Sequence, residues 1–223
     1  MAINQAVDRP LLDVASAQVA RVAGEGSAVH PHCLALASAS GPEAARDLAD
    51  AVHLLCSLYG RHPGLVELAL HHCPAGPIRD WLRAASDAFE RERLYLVRLT
   101  SAVGPLPSTP GSAETESVLS HQRRAIETLA RSERRGCALG ATTALVADWA
   151  AIRLVLNRAA ARMGVEVPAC SLPDAESVVA VIEAGVEGVA AERALGFGAE
   201  QLLLQNRGLL DLLEARASAR SDG

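Results

Sequence analysis

The sequence predicts an all-α protein, an up-and-down helical bundle with two long C-terminal helices and shorter N-terminal helices. Alanine and leucine together supply about a third of the chain, and both are strong helix formers. Aromatic residues make up only 3% of the chain, so the core must be built mainly from small aliphatic side chains. Prolines and glycines separate long stretches of helical apolar periodicity, and no stretch carries a clear strand pattern.

The N-terminal half divides into four expected helices, because proline is poorly tolerated inside a helix and glycine commonly ends one. The expected helices span residues 10–23, 43–59, 64–72 and 78–103. Pro42 and Pro77 open the second and fourth of them, since proline suits the first helical turn. The proline-rich segment 104–111 that follows is expected to be a loop.

The C-terminal half contains two long stretches with almost no proline. The first, 112–163, predicts one helix of about 45 residues that bends near Gly136. The second predicts a helix over 173–217 that contains several internal glycines. A close helix–helix contact near Gly196 and Gly198 would explain these glycines, and a break of the helix at the same place is the alternative.

Composition excludes several classes of function. All 21 basic residues are arginine, so the lysine amine that a P-loop or a pyridoxal phosphate enzyme requires is absent. This bias is typical of a bacterium with a GC-rich genome. The net charge of −5 argues against a nucleic-acid partner, and the first 60 residues lack the basic helix-turn-helix of a transcription regulator.

The chain is expected to form one helical-bundle domain over 1–223, with an N-terminal helix and loop in 1–40 and the bundle core in 43–217. Five cysteines without a C-x-x-C motif indicate reduced thiols rather than a disulfide framework. The sequence has no signal-peptide pattern, and its longest apolar run is shorter than the ~20 residues of a membrane span. We therefore expect a cytoplasmic protein that does not associate with membranes.

Several charged residues fall at positions that the apolar periodicity places inside the bundle. Glu92 interrupts the apolar stripe of the fourth helix, and Asp148 has apolar neighbours on all sides of the long helix. The same periodicity places further charges at stripe positions: Glu133, Arg193, Glu200 and Arg207. Because buried charges need partners, we expect these six residues to form a buried polar network. Within it, Asp148 is expected to pair with Arg193 or Arg207.

Long helices with carboxylates projecting into a bundle resemble the ferritin-like four-helix-bundle superfamily, over about 43–217. The resemblance implies a bundle interior in which carboxylates can hold metal. The di-iron members carry Glu-x-x-His on two helices, a motif that this chain lacks. We expect no metal and no cofactor. If a metal were bound, its ligands would be Asp50, His53 and Glu92. One more ligand would come from Glu133, Glu200 or His121.

Three other segments carry residues with binding chemistry. The groups at 30–33 and 71–73 contain histidine and cysteine that could ligate zinc or copper, although neither has a zinc-site spacing. The second group is also explained as a helix C-terminus, where histidine interacts well with the helix dipole. The arginine-rich segment 123–135 is either a solvated helical face, with Glu127 paired to Arg131, or an anion-binding surface.

Together these patterns favour a non-catalytic bacterial protein that binds a protein partner or a small ligand, with a homodimer as one possible assembly. The sequence has neither a G-x-S-x-G nucleophile elbow nor a dinucleotide-binding fingerprint. The alternative is a metal-dependent oxidoreductase on a ferritin-like scaffold.

Overall fold

The computed structural model describes residues 11–221, with side chains from residue 14 onward, and this part of the chain forms nine α-helices and no strand. In chain order the helices are α1 (Leu11–Glu25), α2 (Pro31–Ala37), α3 (Glu43–Tyr59), α4 (Leu65–His72), α5 (Pro77–Ala102), α6 (Ser112–Ala130), α7 (Cys137–Met163), α8 (Ala175–Gly185) and α9 (Val189–Ser221). One turn of 3-10 helix, Ser27–Val29, lies between α1 and α2. The predicted all-α class is confirmed.

Proline and glycine set most bounds of the later N-terminal helices as expected, but α1 continues through Gly24 to Glu25 and α2 was not expected. Helix α3 covers the expected 43–59, α4 differs from its expected bounds by one residue at its start, and α5 differs by one residue at each end. At the start of α4, Oε2 of Glu67 accepts a hydrogen bond from the backbone N–H of Gly64 at 2.7 Å, which caps the helix. Pro77 is the first residue of α5, where its missing N–H costs nothing.

The hydrophobic core includes the N-terminal helices as well as the expected bundle. Ala15 and Val22 of α1 and Cys33 and Leu36 of α2 are buried in the same cluster as the later helices. Helix α1 packs against α7, α8 and α9, and α2 packs mainly against α7. The core therefore also includes side chains of α1 and α2, which lie outside the expected core range 43–217.

Helix α7 lies at the centre of the bundle and contacts every other helix. Its residues are buried on all sides, among them Leu145, Trp149 and Ile152, as the apolar pattern around Asp148 predicts. Of the helices in the described residues, α7 alone is long and apolar enough to cross a membrane, with a mean hydropathy of 1.5. Within the bundle 78% of that apolar window is buried, which is typical of the core helix of a globular protein.

Helices α7 and α9 approach each other so closely that side chains are excluded from the contact. A Cβ atom at Gly140 would overlap the backbone carbonyl of Leu195, and one at Gly198 would overlap that of Cys137. The expected close contact is therefore found at Gly198. At Gly196 a Cβ atom would meet nothing within 4 Å, so this second glycine does not serve the contact.

Both long C-terminal helices are broken where the sequence predicts continuity. The first ends at Ala130 and restarts at Cys137, after a connection that ends at Gly136 with a φ of +97°. The second breaks between Gly185 and Val189, and Gly188 there has a φ of +85°, a backbone conformation that favours glycine. The alternative of a break near Gly196 and Gly198 is wrong, because α9 runs through both glycines and the break lies upstream of them.

Candidate functional site

Asp148 lies buried at the centre of the bundle, where neutral hydrogen-bond donors surround it. Its Oδ1 accepts from the backbone N–H of Ser27 at 2.7 Å, and its Oδ2 accepts from the Ser27 hydroxyl at 2.6 Å and from Nδ2 of Asn206 at 2.7 Å. The Tyr59 hydroxyl in turn donates to Oδ1 of Asn206. Burial, and secondarily the charge of Asp148, raises the pKa of Tyr59, so this phenol stays protonated.

Glu92 is also buried, and its partner is an arginine, but this arginine is Arg153 rather than one of those expected in the buried network. Its Oε1 accepts from the guanidinium of Arg153, and its Oε2 accepts from the indole N–H of Trp149 at 2.9 Å. Arg153 lies over the ring of Tyr95, 5.5 Å from the ring centre, and also donates to the carbonyl of Pro168. Because Arg153 follows Trp149 by four residues, both reach Glu92 from one face of α7.

A third buried carboxylate, Asp50, anchors the C-terminal end of α9. Nε and one terminal nitrogen of Arg216 donate to the two oxygens of Asp50 at 2.8–3.1 Å. Arg220 donates to Oδ2 of Asp50 at 2.6 Å, and the hydroxyls of Thr109 and Thr115 accept from the arginines. Burial lowers the pKa of Arg220, but the carboxylates around it raise it by more, so the net shift is upward and the guanidinium is charged.

The predicted six-residue buried network is wrong for four of its members. Glu133, Arg193, Glu200 and Arg207 are exposed, and only Glu92 and Asp148 are buried. The expected pairing of Asp148 with Arg193 or Arg207 is therefore absent. The error comes from extending one stripe through the two helix breaks, because each break rotates the next helix and shifts which residues face inward.

The candidate metal ligands do not converge. Asp50 is bound by the two arginines of α9, Glu92 pairs with Arg153, and Nε2 of His53 lies 2.8 Å from the carbonyl oxygen of Gly104. These carboxylates are neutralised by guanidinium groups, which would repel a cation. Within residues 11–221 no group of three His, Cys, Asp or Glu side chains is placed to hold a metal ion.

The histidines of the 30–33 segment have structural partners instead. His30 is buried; its Nδ1 accepts from the backbone N–H of His32 at 3.2 Å and its Nε2 lies 3.0 Å from Asp211. Desolvation lowers the pKa of His32, so burial holds this ring neutral. Burial, and secondarily Asp148, raises the pKa of the Cys33 thiol to about 11, which leaves it a poor nucleophile at neutral pH.

The arginine-rich segment supplies the candidate functional site. Three of its side chains, Arg131, Arg134 and Arg135, line a surface pocket of about 480 Å³, which we call the arginine pocket. The other walls come from the α4–α5 connection, the C-terminal end of α8 and the first turns of α5 and α7. Ile78 and Leu139 give the pocket an apolar floor, and the volume lies in the range of small-molecule sites.

The lining of the arginine pocket is positively charged. Glu133 is its single carboxylate, against three guanidinium groups. Arg131 forms no ion pair within the described residues, so the expected Glu127–Arg131 pair is not made. Arg135 pairs with Glu187 at 3.3 Å, but both side chains are largely exposed, which makes the pair weak. The pocket therefore carries more positive charge than its own carboxylate neutralises.

Helix α7 begins at this pocket, and two of its first amides have no acceptor in the part of the chain that the structure describes. Gly136, which precedes α7, has no side chain to cap the helix, and the first turn contains no acidic residue. Among the described residues, neither the N–H of Ala138 nor that of Leu139 has a hydrogen-bond acceptor. The helix dipole adds a partial positive charge at this end, so the helix and the arginines both attract an anion.

The cysteine in the pocket wall is not activated for catalysis. Burial raises the pKa of the Cys73 thiol, and nearby Arg79 offsets only part of this rise. Arg79 is itself held by the carbonyls of Leu70 and Cys73. The thiol is therefore protonated near neutral pH.

The only indication of this pocket in the sequence is the run of arginines. An anion-binding surface is one of the two interpretations of that run. Only part of the run contributes, because Arg123 turns away to pair with Glu116 at 3.1 Å and to donate to the carbonyl of Ser57. The pocket itself depends on the helix break at 131–136, which turns the last arginines away from the helical face. The apolar periodicity predicts a continuous helix over these residues, so the sequence does not reveal the concave surface that the break creates.

Comparisons with known proteins found one family model that matches the chain. The matched residues are 22–221, nearly the whole of the part that the structure describes. No curated protein matches the chain, and no solved structure matches it either. The match covers all the helices from α2 to α9 and most of the bundle core. The chain therefore belongs to the family of unknown function DUF6975.

Proposed function

We propose that this protein binds a small organic anion in the arginine pocket and that it is a binding protein rather than an enzyme. The single observation that carries this proposal is a concave surface of about 480 Å³ lined by three arginines and one carboxylate. Arginine binds phosphate and carboxylate groups through two parallel hydrogen bonds, so several arginines at one pocket favour an anion.

The unpaired amides of α7 support the same ligand class. An oxygen atom placed near the N–H groups of Ala138 and Leu139 would satisfy two donors that have no partner in the described residues. The apolar side chains of Ile78, Leu82 and Leu139 would contact a carbon skeleton attached to the anionic group. An organic phosphate or carboxylate fits both parts of the pocket better than a bare inorganic ion.

Calorimetric titration with phenyl phosphate tests the proposal, because this probe combines an aromatic ring with a phosphate group. Arg131→Gln and Arg134→Gln should each weaken its binding by about tenfold, the loss of one charge-assisted hydrogen bond of ~1.5 kcal/mol. Arg124→Gln is the matched control, because Arg124 is an exposed arginine of α6 that lies outside the pocket. Equal binding by all three variants and the original protein, or no binding at all, would refute the proposal.

A further inference from the structure

A second concave surface adjoins the arginine pocket, between the connection that follows α6 and the first turns of α9. It has a volume of about 690 Å³ and a floor of three alanines, so we call it the alanine groove; the floor residues are Ala190, Ala191 and Ala194. Arg134 and Arg135 line both this groove and the arginine pocket. Because the two surfaces share these walls, a molecule longer than phenyl phosphate can extend from one into the other.

Packed backbone fixes the position of the alanine groove relative to the arginine pocket. A Cβ atom at Gly136, which precedes α7, would lie only 2.6 Å from the carbonyl oxygen of Ala191 in α9. No side chain fits at this contact, so the start of α7 is held directly against the first turns of α9. The spacing between the two surfaces is therefore set by the bundle itself and not by the exposed side chains that line them.

The alanine groove has an excess of positive charge, as the arginine pocket has. Its single carboxylate, Glu187, lies 3.3 Å from Arg135, so these two charges offset each other. Arg134 and Arg193 form no ion pair with any residue in 14–221. The Arg134 guanidinium lies 5.8 Å from the ring centre of Phe197, a contact that orients it without removing its charge. Arg193 does not line the arginine pocket, so it gives the groove a cationic position of its own.

We propose, on the basis of the function proposed above, that the ligand of the arginine pocket carries two anionic groups joined by an apolar chain. The first group binds at Arg131 and the start of α7, and the second binds at Arg193 in the alanine groove. The chain lies over the alanine floor, whose methyl groups offer apolar contact. Once the first group is bound, binding of the second is intramolecular, so two linked anions bind more tightly than one.

Calorimetric titration with hexylphosphonate and with α,ω-hexanediphosphonate tests this proposal, because the two probes differ only in the second anionic group. The diphosphonate should bind at least about tenfold more tightly. Arg193→Gln should bring the affinity for the diphosphonate down to that for hexylphosphonate. Arg207→Gln is the matched control, because Arg207 is an exposed arginine of the same helix that lines neither surface. It should keep the difference, whereas a general attraction for the more negative probe would be reduced equally by both variants.

Backbone amide NMR locates the second anionic group. The diphosphonate should shift the amide signals of Ala190 and Ala194, and hexylphosphonate should not. If neither phenyl phosphate nor hexylphosphonate binds, the proposed function fails and the two-anion ligand fails with it. If hexylphosphonate binds but the diphosphonate binds no more tightly, or if the difference survives in Arg193→Gln or is lost in Arg207→Gln, the two-anion ligand is wrong while anion binding at the arginine pocket stands.

Discussion

Nδ2 of Asn206 donates a hydrogen bond of 2.7 Å to Oδ2 of Asp148, and both residues are almost completely buried. The contact joins α9 to α7 at the centre of the bundle. Because Ser27 and Tyr59 bind the same pair, four separate parts of the chain meet in one polar cluster. The Asp148 carboxylate accepts its hydrogen bonds here from neutral groups rather than from an arginine.

Asp148→Ala should destabilise the protein by about 3–5 kcal/mol, because it leaves the N–H and hydroxyl of Ser27 and the amide of Asn206 buried without an acceptor. Urea denaturation followed by circular dichroism measures the change. Glu133→Ala is the control, since this carboxylate is exposed and its removal should change the free energy of unfolding by less than ~0.5 kcal/mol. A loss below 1 kcal/mol for Asp148→Ala would contradict the interpretation of the cluster.

Arg216→Ala should cost about 3–5 kcal/mol of stability, because it removes the main partner of the fully buried Asp50. The double variant Asp50→Leu with Arg216→Leu should recover part of this loss, since it removes both charges and leaves apolar groups. Denaturation midpoints of the single and double variants check this. Additive losses in the double variant would show that the two side chains are not coupled.

Two glycines of α9, two residues apart, should respond oppositely to the same substitution. Gly196→Ala should stabilise the protein by about 0.5–1 kcal/mol, because alanine is the better helix former and its methyl group meets open space. Gly198→Ala should destabilise it by about 1–3 kcal/mol, because the methyl group would overlap the carbonyl of Cys137. Thermal unfolding of the two variants measures the difference, and effects of the same sign would contradict the α7–α9 geometry.

Stability should fall in mild base because of Cys33. The pKa of its thiol rises from an ordinary value of 9.0 to about 11 in the folded protein. The folded state therefore holds this proton more tightly than the unfolded chain. The resulting stabilisation is complete below about pH 9 and is lost as the pH rises towards 11. The raised pKa of Tyr59 acts in the same direction.

Measuring the free energy of unfolding between pH 8 and 10.5 tests this prediction. The free energy of unfolding of Cys33→Ala should decline less steeply with pH than that of the original protein, even if the two proteins differ in overall stability. Cys170→Ala is the control, because Cys170 is exposed and its removal should leave the slope unchanged. An identical slope in all three proteins would mean that the Cys33 thiol titrates normally.

Local rules predicted the helical class and most of the boundaries from α3 to α5, although not helix α2, because prolines and glycines act within a few residues of their own position. They did not predict the breaks at 131–136 and at 186–188, since those depend on how α7 and α9 pack rather than on local propensity. The same packing decides which charges are buried. Glu92 and Asp148 lie well inside helices and were located correctly, whereas Glu133 lies in one break, Arg193 follows the other, and both face solvent.

The partners of the buried carboxylates could not be obtained from periodicity, which shows only that a position faces inward. Ser27 reaches Asp148 from a short 3-10 turn, and Arg216 reaches Asp50 across 166 residues of chain. Asparagine and serine carry no signal that separates a buried partner from a surface residue. The arginine pocket likewise depends on two chain connections and the C-terminal end of α8 meeting at the start of α7.

The most direct measurement for anion binding at the arginine pocket is a titration of the isotope-labelled protein with phenyl phosphate, followed by backbone amide NMR. The largest shifts should appear at the N–H groups of Ala138 and Leu139, because these donors face the bound oxygen atoms, and they should be lost in Arg131→Gln. Shifts confined to other parts of the chain, or none at saturating phenyl phosphate, would contradict the proposed function.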